Sequence, residues 1–160
     1  MDDLSTIHAR VRAAYGEDSA IMDDGQIWLS RSQRFLTEAE AEAVRPTAWD
    51  RLKAQVKARR DEAIAAGIVI DGLPVQTDDL SQQRITGAAL AASLDPTLEV
   101  RWKVGNGAFV TLDAASVIAI AQAVRAHVQA CFDREADLRD AIDAGEAPDI
   151  ESGWPGGAAA

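Results

Sequence analysis

Ile68-Val69-Ile70-Asp71-Gly72-Leu73-Pro74-Val75 is the stretch that decides the fold. Asp-Gly is a two-residue hairpin turn, because both central positions of a type I′ turn need positive φ. That turn pairs Ile70 with Leu73 and Ile68 with Val75, so four apolar side chains share one face. Pro74 then opposes Val69 in a non-hydrogen-bonded pair, where its missing N–H would point away from the partner strand. Gly67 supplies the left-handed exit from a preceding helix. A hairpin set between helical patterns predicts an α+β fold, with helices, small antiparallel β-hairpins and a long C-terminal α-helix.

Upstream, Thr47 is placed to cap a helix over 48–66, with Trp49, Leu52, Val56, Ala63 and Ile64 roughly on one stripe. Pro46 ends a shorter helix that starts at the Thr37/Glu40 capping box and runs to about Val44. Farther back, Leu4, Ile7, Val11 and Ala14 have helical spacing. An Asp24-Gly25 turn would set Met22 against Ile27 and Ala20 against Leu29. Residues 1–45 thus read as an N-terminal module of helix, hairpin and helix. Residues 46–160 read as the main domain, ending in a flexible tail.

Downstream, Thr77 or Asp78 caps a helix to about Ser93, which Asp95-Pro96 stops. Leu98 to Val104 alternates, and Phe109 to Leu112 returns after Gly105-Asn106-Gly107. A three-residue loop sets Trp102 against Val110 and Val100 against Leu112, which groups the apolar residues better than a two-residue Asn-Gly turn. Asp113 caps the last helix, a rod of roughly 48 Å ending near Ala144. Along it Val117, Ala121, Val124, Val128, Cys131, Glu135, Leu138 and Ile142 have heptad-like, coiled-coil spacing. Such a stripe serves either a neighbouring copy, as in a trimeric fibre, or the chain's own hairpins.

The 160 residues fit one domain, or one domain with an appendage. Lys and Arg number 16 against 26 Asp and Glu, a net charge of −10. A chain so acidic repels phosphate backbones, so no nucleic-acid partner is expected. No uninterrupted apolar run approaches the roughly 20 residues of a membrane span, so no membrane partner is expected. Met1-Asp2-Asp3 lacks the basic, apolar start of a secretory leader, which predicts folding in a cytoplasm. The lone Cys131 forms no internal disulfide.

His127 and Cys131, at i and i+4, share a helix face where a Cys–His nucleophile or a metal would need them. No third partner is evident and Cys131 continues the apolar stripe, so a core role is expected. The pairs Asp2-Asp3, Asp23-Asp24 and Asp78-Asp79 lack calcium-loop spacing, and the latter two suit turn and cap chemistry. No catalytic residue, cofactor or metal site is therefore expected. Arg51, Lys53, Lys57, Arg59 and Arg60 form a basic run, while Asp133, Glu135, Asp137, Asp140, Asp143 and Glu146 form an acidic one. Opposite patches suit a solvated face or docking, between copies or against neighbours. Trp154, between Gly153 and Pro155, is an anchor onto a partner or onto the parent domain. The expected interaction residues are Trp154, Arg51, Lys53, Lys57, Arg60, Val117, Val124 and Val128.

Several stretches carry a family resemblance. They are Arg59-Arg60-Asp61-Glu62, Gly67 to Gly72, Val75-Gln76-Thr77-Asp78, Ile85-Thr86-Gly87-Ala88, Trp102-Lys103, Gly107 to Leu112, and Gly153-Trp154-Pro155. From about Trp49 to Pro155 the chain resembles C-terminal domains encoded in bacteriophage and prophage tail modules, often beside tail-fibre and fibre-assembly genes. The first 45 residues lie outside it and suit a virion- or partner-specific module. The resemblance implies a structural protein of the tail tip, baseplate or fibre. Its partners would be other tail, baseplate or fibre proteins, and it would reside in the virion after assembly in the host cytoplasm. A tail-fibre assembly chaperone is the alternative, and a small hydrolase using His127 and Cys131 a distant one.

Overall fold

The computed structural model describes residues 4–104 and 107–156. Asp2-Asp3, Gly105-Asn106 of the third turn and the last four residues of the tail lie outside the described residues. The architecture is α+β: helices, short antiparallel strand pairs and a long C-terminal helix. The chain divides into two compact units, Met1–Leu52 and Lys53–Ala160. The division falls after the Pro46 boundary because Arg10 holds the start of the third helix. Its guanidinium pairs with Asp50 at 2.7 Å and donates to the Arg45 carbonyl at 3.0 Å.

The first unit holds α1 (Leu4–Tyr15), β1 (Ser19–Ile21), β2 (Ile27–Leu29), β3 (Arg34–Phe35) and α2 (Glu38–Val44). Its core gathers Ile7, Val11, Ile27, Leu29, Leu36, Ala41 and Val44. The capping box at Thr37 and Glu40 forms as expected. The hairpin differs from its expected register by one residue, with Ile21 opposite Ile27 and Ala20 opposite Trp28. The turn is a three-residue Asp23-Asp24-Gly25 loop, closed by Met22 N–H on the Gln26 carbonyl at 2.9 Å. Gly25 at φ +82° and the Asp24 carboxylate, which accepts from Gln26 N–H at 3.0 Å, favour that longer loop. A third strand, β3, extends the hairpin to a three-stranded sheet. Glu17, buried beneath the following turn, accepts from the Arg31 and Ser32 backbone N–H groups.

The third helix, α3 (Ala48–Ala65), begins on a second reciprocal cap: Asp50 N–H reaches the Thr47 hydroxyl at 3.1 Å. Its expected stripe is only partly buried. Val56 and Ile64 are enclosed, while Trp49 is exposed. In the second unit follow β4 (Ile68–Ile70), β5 (Leu73–Val75), α4 (Asp79–Leu94), β6 (Glu99–Lys103), β7 (Phe109–Asp113) and α5 (Ala114–Asp143). The registers Ile68–Val75, Ile70–Leu73, Val100–Leu112 and Trp102–Val110 are those the apolar pattern predicts. Asp71 and Gly72 both take positive φ, as a type I′ turn demands.

Asp78, not Thr77, caps α4. Thr77 is fully buried instead. Its hydroxyl accepts from Gly67 N–H at 3.0 Å and donates to the Ile64 carbonyl, tying the end of α3 to the hairpin exit. The first half of α5 packs on α4 and the hairpins through Val117, Ile120 and Val124, joined by Val75, Ile85 and Leu112. The stripe thus faces the chain's own elements. Its buried line also takes in Ile120 and His127, with Ala121 and Val128 at the flank. By length and composition alone, α5 is long and apolar enough to cross a membrane. In the described fold its apolar face packs against the chain's own core.

Candidate functional site

The basic and acidic runs meet each other within the second unit. Arg60, 12% exposed, lies 2.6 Å from Glu135, which is 9% exposed, and its guanidinium stands 4.6 Å from the Phe132 ring centroid. Burial pulls the Arg60 pKa down, but Asp61 and Glu135 outweigh it and hold the group charged. Lys53 pairs with Asp143, and Lys57 with Asp61 at 2.7 Å. Arg59 pairs with Glu62 and, at 3.0 Å, with Glu151. In the first unit Arg51 donates to the Pro46 carbonyl at 3.0 Å. The complementarity that suggested docking therefore holds α3 against α5.

The remaining expected interaction residues fall in three environments. Val117 and Val124 are buried in the chain's own core, which corrects their reading as contact residues. Val128 is half-buried. The described part of the tail is tied to α5. The Arg134 guanidinium donates to the Asp149 and Ser152 carbonyls at 3.1 and 3.0 Å. Gly153 takes φ +78° directly above it, where an added Cβ would come within 3.2 Å. Trp154 is half-buried, its indole N–H donating to the Ile150 carbonyl at 2.8 Å.

His127 and Cys131 do come together, with Nε2 3.9 Å from Sγ. Nε2 also lies 3.1 Å from the Ala63 carbonyl, which only accepts, so Nε2 carries its proton there. It is then no base toward the thiol. Cys131 is fully buried, and burial pushes its thiol pKa up, away from the reactive thiolate. Asp78 and Asp24 serve as helix cap and turn acceptor. Among the described residues no group of three or more His, Cys, Asp or Glu is placed to hold a metal.

A different feature emerges between the second and third hairpins and α4. A cleft of about 660 Å³ is lined by Arg84, Arg101 and Lys103 over an apolar floor that includes Ile85 and Trp102. Among the described residues no carboxylate lines it. The three cations have no ion pair among the described residues, unlike those of α3. Local structure sets each in place. The Asp78 cap starts α4 and puts Ser81 and Arg84 on one face, a turn apart. The β6 register sends Val100 and Trp102 inward and Arg101 and Lys103 to the opposite face. There the Arg101 guanidinium lies 5.4 Å from the centroid of the exposed Phe109 ring. None of the three was singled out from the sequence, yet a signal existed. Lys57 and Arg59 have an acid three or four residues on, whereas Arg84 has none within one turn either way.

Small hairpins set among helices define the protein's class, a two-unit α+β chain. Residues 47–152 match the family described as a domain of unknown function (DUF4376), and the chain belongs to that family. No curated protein and no solved structure matches it.

Proposed function

We propose that this chain is a non-enzymatic structural component of a phage tail, in the tip, baseplate or fibre, acting through protein–protein contacts. The observation that carries the reading is the outward face of α4. Gly87, Leu90, Ala91 and Leu94 lie along it, with Leu90 62% and Leu94 79% exposed. Large aliphatic side chains at helical spacing on a surface suit burial by a protein neighbour. The resemblance of residues 49–155 to tail-module domains supplies the setting: assembly in the host cytoplasm and residence in the virion beside other tail proteins. The hydrolase reading has less support, because His127 Nε2 donates to a backbone carbonyl and the thiol is enclosed.

Mass spectrometry of particles purified from the encoding phage or prophage tests the proposal. Peptides of this chain at fixed stoichiometry with tail proteins are the expected result. Their absence, together with insolubility of the neighbouring fibre protein when this chain is withheld, would replace it with the assembly-chaperone role.

A further inference from the structure

The cationic cleft has a strand edge for one wall. Arg101, Trp102, Lys103 and Val104 all line it, although side chains alternate between faces along a strand. Four consecutive residues share a cleft only where it meets the strand at its backbone edge. Among the described residues β6 pairs with β7 alone, which leaves that edge without a strand partner. Val104 N–H bonds the Ala108 carbonyl, which makes 104, 102 and 100 the hydrogen-bonded positions of the ladder. Arg101 and Lys103 therefore direct their backbone N–H and C=O groups away from β7. The opposite wall includes Pro74 and Val75 of β5, also an edge strand. Pro74 sits at the outward position there and has no N–H to offer. Only the β6 side presents both donors and acceptors.

We infer that this cleft binds an extended, acidic segment of a partner polypeptide, which adds as a strand along β6. Backbone pairing with Arg101 and Lys103 would hold the segment. The side chains of Arg84, Arg101 and Lys103 select carboxylates, and no acid among the described lining residues competes from within. The inference concerns partner chemistry and stands whether or not the chain is found in tail particles.

The test uses the full chain and the blocked peptide Thr-Glu-Val-Glu-Val-Glu-Thr, compared with its Glu-to-Lys counterpart and with a version N-methylated at alternate residues. Binding is followed by Trp fluorescence and by hydrogen exchange at individual amides. The acidic peptide should slow exchange at Arg101 and Lys103 and bind at least tenfold tighter than either control. Lys103→Glu and Arg84→Gln, both at exposed positions, should each weaken it by about tenfold, one charge-assisted contact's worth. No binding at millimolar peptide would overturn the inference. So would equal binding of the N-methylated peptide, or binding without protection of those two amides. Inorganic polyphosphate or oligothymidylate binding as tightly as the peptide would reassign the cleft to general anions.

Discussion

Replacing Glu135 with Gln removes a charge but almost no volume from the junction of α3 and α5. Arg60 would keep its own enclosure, its contact with the Phe132 ring and the half-exposed Asp61, and would lose the more enclosed of these two counter-charges, Glu135. Stripping one partner from a buried pair costs about 3–5 kcal/mol. Asp61 stays 2.6 Å from the guanidinium, so roughly half of that, ~2 kcal/mol, is expected here. Arg139, the other partner of Glu135, is well exposed and adds little. For a unit of this size ~2 kcal/mol lowers the melting temperature by about 8 °C. Urea unfolding followed by circular dichroism gives the magnitude, and hydrogen exchange along α5 assigns the loss to the second unit. The companion variant Arg60→Met/Glu135→Leu should return to within ~1 kcal/mol of the parent, since an apolar pair of similar volume fills the same place. A Glu135→Gln change under 0.5 kcal/mol, or a double variant no better than the sum of its singles, would refute the reasoning.

Acid should weaken the first unit through two carboxylates. Arg34 and Thr37 hold Glu40 down to about 2, and Thr47 and Arg10 do the same to Asp50. The unfolded chain takes up these protons first, so the contribution is complete above about pH 4.5 and lost as pH falls toward 2. Melting curves of Glu40→Gln should therefore converge with those of the parent across that window; parallel curves would exclude this source. Cys131 should resist iodoacetamide at pH 8 in native buffer and react in denaturant, and rapid native labelling would contradict its enclosure. Gly67→Ala should cost roughly 2–3 kcal/mol by urea titration, because φ is +81° and the new Cβ would meet the Val75 carbonyl oxygen at 2.9 Å. A loss below 0.5 kcal/mol would show that the backbone shifts to admit a side chain.

The second and third hairpins were legible because only one register groups their apolar side chains. The first was not: Ile27 finds an aliphatic partner in either register, Met22 or Ile21, and Gly25 tips the choice through loop length. On α5 a strict heptad reading selected Ala121 and Val128. A straight helix of 3.6 residues per turn drifts from that repeat, so the buried line also reaches Ile120 and His127. Charge runs were visible, but not that α3 and α5 would bring them together across the fold. The cleft was hidden for the same reason, since Arg84 and the β6 cations are distant in sequence and meet only in the folded chain.

Because α5 covers both α3 and the α4-hairpin layer, it also sets an order of events during biosynthesis. The first unit closes a core from residues within 7–44 and has what it needs early in translation. The β4–β7 strands and α4 find their apolar cover only after the final helix has left the ribosome. Until then Val75, Ile85 and Leu112 lack the cover that Val117, Ile120 and Val124 supply.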